Sequence, residues 1–322
     1  MKLPDEVRIP YYGELWRDVD RAEFGNWLQN TDYNSRLFTL TQFTVFSSRR
    51  KGRPLRFLFI DNESNVKKSD ITFLQPLFDL QTLSNADADE IVTAFYNEFM
   101  ADTDRLCAVL SGDQQTWIKF YMMHKRDPEK YRWLIPVPGE WHWTWHILKA
   151  IYIMYYDTIL LPLALELGFS RLDKEVKDFH YAEDLLEMVT LAIVRWIEQS
   201  MDMCHPPITI NKWLHNIKPH TPAYELAYAC IHYFIPYWNT RSALKWNKID
   251  VMESYWRYWI HLFIATKKYN YSLMSVRFLW ILNSLDPEIK KMYEQYRVLS
   301  FSGDPGTGIP MDGVIELVGM LV

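Results

Sequence analysis

The segment Leu106–Phe120, LCAVLSGDQQTWIKF, constrains the fold most strongly, because a strand and a helix meet there at a sharp turn. The apolar run Leu106–Leu110 predicts a buried strand, residues 111–113 predict the turn, and a helix is expected from Gln114. This arrangement places Asp113 at the carboxyl tip of the strand. In open α/β sheets, that edge holds the binding and catalytic groups.

A second segment has the same design. The apolar run Leu55–Ile60 predicts a strand, and it ends on Asp61 and Asn62. If the two strands are neighbours, Asp61 and Asp113 lie side by side, and two close carboxylates need a shared proton or a bound cation. The alternative interpretation is that each aspartate caps the turn or helix that follows it.

The composition limits the number of domains and the cellular location that are expected. A chain of 322 residues forms one large domain or two, and a net charge of −5 gives no overall signal for nucleic-acid binding. Three cysteines without a CxxC pattern favour a reducing compartment, and the N-terminus lacks a signal peptide, so a nuclear or cytoplasmic location is expected. The apolar run 147–168 contains charged residues and Pro162, which favours a core helix over a membrane span.

The order of elements predicts an α/β fold with a helical insertion. Alternating residues predict a strand over 36–46, an acidic start predicts a helix from Asn85, and Trp133–Val137 predicts a further strand before a long helix from Glu140. Helical spacing then continues from about 173 to 291. The expected divisions are a 1–52 extension with one strand, a 53–172 α/β core, a 173–291 helical insertion, and a 292–322 loop and closing helix.

The closing helix, expected to start near Met311, carries Glu316. Together with Asp61 and Asp113 it completes a set of three carboxylates from separate elements. Such a set suits a pair of divalent cations that activate a water or a 3′-hydroxyl and stabilise a departing phosphodiester oxygen.

This pattern resembles the ribonuclease H-like core of hAT-type DNA transposases, with a helical insertion before the last acidic residue. More closely, the blocks FIDN, SGDQQT, LIPVPGEWHW, YWRYWIHLFIATKKYNYS and FSGDPGTGIPMDGVIEL are similar, in order, to those of a transposon-derived domain family of unknown function. The resemblance runs from about Arg53 to the C-terminus.

The resemblance implies a mixed five-stranded sheet, with two Mg2+ or Mn2+ ions held by Asp61, Asp113 and Glu316. It implies DNA as the partner, contacted in part through regions absent from this chain, and leaves homo-oligomers open; no membrane partner is expected. The alternative is a domesticated, catalytically silent domain that binds nucleic acid or protein. Residues that would position the carboxylates are Asn62, Gln114, His142 and Asp312.

Three other groupings have competing interpretations. His142 and His146, four residues apart on a helix, suit either a metal ligand pair or a packed aromatic cluster. The pairs Cys204-His205 and Cys230/His232 are poorly spaced for a zinc site on helices. The aromatic stripe 255–263 suits either core packing or base stacking, and core packing is favoured.

Overall fold

The computed structural model describes residues 66–69, 84–101, 103, 107–169, 173–204 and 210–314. The strands predicted over 36–46 and Leu55–Ile60 lie outside these residues, as do Asp61, Asn62 and Glu316. Every structural statement below concerns the described residues.

Two parallel strands lie at the start of the described α/β region. Strand β1 is Ala108–Gly112 and strand β2 is Leu134–Pro138, with Ala108 opposite Leu134 and Gly112 opposite Pro138. Both strands begin and end later than the sequence pattern predicted, β1 by two residues at each end. The reason is that Ser111 and Gly112 still pair with β2, so the turn begins only at Asp113.

Two helices flank this strand pair. Helix α1, Asn85–Phe99, begins with a capping box between Ser84 and Asp87, as its acidic start predicted. Its most buried residues are Ala88 and Val92, and Ile91, Ala94, Phe95 and Phe99 are half-buried. Helix α2, Gln114–Arg126, follows β1 and packs on α1.

A long helical segment follows β2. Helix α3, Glu140–Tyr155, continues through a π-helical turn, Tyr156–Leu160, into α4, Leu161–Glu166. By length and composition Glu140–Glu166 is apolar enough to cross a membrane, but 50% of its most apolar window is buried inside the protein. Its burial is what a core helix requires.

The described residues between 173 and 291 form helices and turns and contain no strand, in agreement with the predicted helical texture. The remaining helices are α5 Phe179–Asp202, α6 Ile210–Asn216, α7 Pro222–Ala229, a π-helical turn Cys230–Phe234, α8 Ile235–Lys245, α9 Ile249–Tyr258, α10 Ile260–Ala265, α11 Tyr269–Ser284 and α12 Pro287–Tyr296. Two short antiparallel strands, β3 Val298–Leu299 and β4 Ile309–Pro310, precede a helical turn over 311–314.

The two faces of β2 pack into different clusters. Ile135 and Val137 belong to the main hydrophobic core, which also contains the buried faces of α3, α5 and α8–α11. Leu134 points to a smaller cluster with Phe120 of α2 and Val92 of α1. The helical region is therefore not a separate lobe beside the strands, because it shares one core with β2.

The fold is mixed α and β and mostly helical. The described residues form two separate two-stranded sheets, so the predicted five-stranded sheet is not seen in them. The expected neighbour of β1, the Leu55–Ile60 segment, lies outside the described residues.

Candidate functional site

Asp113 stands at the carboxyl tip of β1, as the sequence predicted, and it is also the N-cap of α2. Its Oδ1 accepts a hydrogen bond from the Thr116 backbone N–H at 2.8 Å. In the described part of the chain, Oδ2 has no hydrogen bond. The structure therefore shows Asp113 as a helix cap, and its role in a site stays a prediction.

Asp312 caps the start of α3 from 171 residues further along the chain. Its Oδ1 accepts from the Trp141 backbone N–H and its Oδ2 from the His142 backbone N–H, each at 3.0 Å. The His142 ring Nδ1 also lies 3.0 Å from Oδ2. Asp312 is only 4% exposed, so the hydrogen bonds from the start of α3 and the contact with His142 satisfy a buried carboxyl group.

Gly139 brings Asp312 close to the end of β1. A Cβ built on Gly139 would lie 2.3 Å from Asp312 Oδ2 and 2.9 Å from the Gly112 carbonyl oxygen. The Gly139 N–H donates to that carbonyl at 2.6 Å. Only glycine leaves room here, and Asp312 therefore reaches the same strand edge as Asp113.

The pKa of the Tyr271 phenol, on α11, is raised by burial and, further, by the negative charges of Asp113 and Asp312. Its ring stacks on His146 of α3, with ring centroids 3.9 Å apart and an interplanar angle of 21°. We call Asp113, Asp312, Tyr271 and His146 the carboxylate cluster, because the charges of both aspartates act on the Tyr271 phenol and the Tyr271 ring stacks on His146.

Two lysines border this cluster. Lys268 Nζ lies 3.4 Å from His146 Nδ1, and Lys149 Nζ lies 4.0 Å from the centroid of the Trp145 ring. Burial lowers the pKa of both ammonium groups. Burial also lowers the pKa of His146 to about 3, with Lys268 and Lys149 acting in the same direction, so this imidazole is neutral at pH 7.

A buried ion pair anchors α3 just behind the cluster. Arg297 donates to both carboxylate oxygens of Glu140, and the Trp256 indole N–H donates to Glu140 Oε1 at 3.1 Å. Burial raises the pKa of Glu140, and the guanidinium opposes this rise. The first residue of α3 is thereby fixed to α9 and to the residue before β3.

Of the predicted site residues, the structure brings His142 and Asp312 into direct contact, and it places Asp113 at the end of β1. Gln114 is the first residue of α2 and is half-buried, with no contact that assigns it a role. Asp61, Asn62 and Glu316 lie outside the described residues. Within the described ranges, no group of three or more His, Cys, Asp or Glu side chains is arranged to hold a metal ion.

The histidine pair, Cys230 and the aromatic stripe all have surroundings that fit core packing. His142 binds Asp312 and His146 stacks on Tyr271, which fits a hydrogen-bonded aromatic cluster. Cys230 is buried as a free thiol, and burial raises its pKa. In the aromatic stripe, Trp256 and Trp259 are fully buried, so core packing is the interpretation that fits.

Sequence reasoning did not assign a role to Tyr271, Lys268 or Lys149. The segment that contains the first two, KKYNYS, was noted only as part of a similar block. A local signal existed, since a lysine pair directly before a helix and two histidines four apart on another helix are unusual in a core. Nothing local indicated that the two helices face each other.

Comparisons of the chain with protein-family models, with curated proteins and with solved structures found no match. The resemblance to a transposon-derived family therefore rests on the sequence blocks alone and stays a prediction.

Proposed function

We propose that this chain is a transposase-like polynucleotidyl transferase or nuclease domain that acts on DNA through two divalent cations held by Asp61, Asp113 and Glu316. The observation that carries the proposal is that Asp312, from the far end of the described chain, packs on Gly139, whose N–H donates to the carbonyl oxygen of Gly112, the residue before Asp113 at the strand tip. In the proposal Glu316 lies one helical turn beyond Asp312.

The donor set fits Mg2+ or Mn2+, because these ions prefer carboxylate oxygens and Asp113 Oδ2 is not used by the α2 cap. A bound pair of these cations would supply an activated nucleophile and would stabilise the leaving oxygen. Asp312 and His142 act as positioning residues that fix the start of α3. Lys268 and Lys149 supply positive charge next to His146 and Trp145 of α3, and this charge would attract a DNA phosphate group.

A second candidate function is a catalytically silent domain that binds nucleic acid or protein. One observation favours it. Asp113 Oδ1 and both oxygens of Asp312 accept hydrogen bonds from the starts of helices, which is a structural role. A domesticated copy would keep these caps after losing catalysis.

Metal binding and DNA nicking separate the two functions. We expect Mg2+ or Mn2+ to raise the Tm of the protein and to support nicking of supercoiled plasmid, because an ion that binds only the native state stabilises it. Asp113→Asn keeps an N-cap of similar strength but removes the charge, so it loses both responses while remaining folded.

Asp178→Asn is the matched control. Asp178 caps α5 in the same way, accepting from the Tyr181 N–H at 3.0 Å, and it is exposed. This variant keeps the metal-dependent Tm shift and the nicking. A wild-type protein without either response, or a response that Asp113→Asn leaves intact, rejects the two-metal site and favours the silent domain.

A further inference from the structure

A cavity of about 690 Å3 opens at the amino ends of β1 and β2. Cys107, the residue before β1, and Leu134–Pro136 of β2 line it. Since both strands run from this edge toward Asp113, the cavity and the carboxylate cluster occupy opposite edges of the strand pair. Its volume is in the range typical of sites for small organic ligands.

One polar group in the wall of the cavity has no hydrogen-bond partner among the described residues. His124 of α2 lines the cavity and is only 5% exposed, and its Nδ1 makes no hydrogen bond in the described chain. Burial lowers the pKa of this imidazole, which keeps it neutral at pH 7. A buried nitrogen without a partner is destabilising, and a polar ligand atom at this position would remove the penalty.

The walls of the cavity are aromatic and aliphatic. Trp133 and Tyr96 are tilted by 48° with ring centroids 5.3 Å apart, and Ile281 and Leu285 contribute aliphatic surface from the end of α11 and the residue that follows it. This side of the cavity favours a flat apolar body, because aromatic and aliphatic side chains offer it contact area.

The mouth of the cavity is positive. Lys130 and Arg132 line it against a single carboxylate, Glu129. Lys130 also contacts Asp89, at 3.5 Å, whereas Arg132 is exposed and makes no ion pair in the described residues. A guanidinium at the mouth favours an anionic group on the ligand.

We propose that this cavity binds a small aromatic anion, with its flat body between Trp133 and the aliphatic wall, its anionic group at Arg132, and a polar atom on His124 Nδ1. The site is separate from the proposed metal site and does not depend on it.

The test uses 1-anilinonaphthalene-8-sulfonate as the anionic aromatic probe and the uncharged N-phenyl-1-naphthylamine as its neutral counterpart. Occupancy is measured by iodoacetamide labelling of cysteines followed by mass spectrometry. Cys107 lies in the cavity, and Cys204, another half-buried free thiol, lies outside the set of lining residues. At ten times Kd the sulfonate probe slows labelling of Cys107 about tenfold by mass action, and labelling of Cys204 does not change.

Two variants assign the contacts. His124→Phe weakens sulfonate binding about tenfold, the effect of one buried hydrogen bond. Arg132→Ala, at an exposed position that leaves folding intact, weakens binding of the sulfonate but not of the neutral probe. Arg195→Ala, at an exposed arginine on α5, binds like the wild type.

Three results overturn the proposal. The first is equal slowing at Cys107 and Cys204, or none at either. The second is sulfonate binding that Arg132→Ala leaves unchanged, and the third is a folded His124→Phe protein that binds like the wild type.

Discussion

The side chain of Asp312 holds the start of α3 in place through hydrogen bonds to its backbone N–H groups. Its two oxygens accept hydrogen bonds from the Trp141 and His142 N–H groups in the first turn of α3, and the His142 ring Nδ1 lies 3.0 Å from Oδ2. A carboxylate in this position complements the helix dipole. The arrangement needs a residue without a side chain next to it, and Gly139 provides one.

Gly139→Ala tests this packing. Its φ of −69° is normal for any residue, so the substitution is opposed by crowding against Asp312 and Gly112 alone. We expect the free energy of unfolding to fall by about 1–3 kcal/mol. Urea denaturation gives the loss, and amide exchange at Trp141 and His142 should accelerate because their acceptor is displaced.

Gly168→Ala is the contrasting control for that substitution. There an added Cβ meets nothing within 4 Å, but the backbone φ is +79°, so only conformational strain of about 1 kcal/mol is expected. Amide exchange at Trp141 that is unchanged in Gly139→Ala contradicts the close approach of Asp312.

His146 predicts a pH dependence of stability. The pKa of this imidazole is about 3 in the folded protein and about 6.5 in the unfolded chain, so below pH 6.5 the unfolded chain binds a proton that the folded protein does not. Stability therefore falls as the pH drops from 6.5 toward 3 and is unaffected above pH 7.

His146→Gln removes that dependence. Between pH 7 and pH 5 we expect the wild type to lose about 1–2 kcal/mol more than the variant, measured as the free energy of unfolding in urea at each pH. His215→Gln, at an exposed histidine of α6, keeps the wild-type slope. Identical slopes for His146→Gln and the wild type would show that the stack on Tyr271 does not exclude the proton.

At the scale of elements, side chains from distant parts of the chain contact the start of α3. Glu140, the first residue of the helix, pairs with Arg297, which is 3% exposed, and accepts from Trp256. Although its own burial acts in the opposite direction, the carboxylate of Glu140 raises the pKa of Arg297. The guanidinium of Arg297 therefore keeps its charge in the buried pair, whereas burial raises the pKa of Glu140.

A double-mutant cycle measures the coupling energy between Glu140 and Arg297. Arg297→Met leaves a buried carboxylate without a counter-charge and is expected to lower the free energy of unfolding by about 3–5 kcal/mol. The double variant Glu140→Gln/Arg297→Met should recover much of that loss, since no buried charge remains. Urea denaturation of the four proteins gives the coupling energy, and additive losses would contradict a direct pair.

The elements that follow from local sequence were predictable, and the contacts between them were not. The capping residues before α1 and α2, the two parallel strands and the long run of helices all have signals within a few residues. The pairing of Asp312 with α3, and of Lys268 and Tyr271 with His146, joins positions more than a hundred residues apart. Periodicity carries no information on such distances, so Asp113 could be placed at a strand tip while its neighbours could not be named.

At the scale of the whole molecule, one core connects the strands to the helical region. Ile135 and Val137 of β2 share a cluster with Trp256 and Phe278 of the helical region. We expect one cooperative unfolding transition, with the same midpoint by far-ultraviolet circular dichroism and by tryptophan fluorescence. Two midpoints, with the helices persisting after loss of the strands, would show that the shared core does not couple them.

The cap on α3 also sets an order of events during synthesis. The ribosome makes Glu140 long before Asp312, and at ordinary elongation rates of about 5–20 residues per second the interval lasts roughly ten seconds or more. Throughout that time, the first turn of α3 lacks the carboxylate that completes it. In a nascent chain, the start of α3 therefore lacks the Asp312 carboxylate. Any activity that depends on this carboxylate begins only after the segment containing Asp312 has left the exit tunnel.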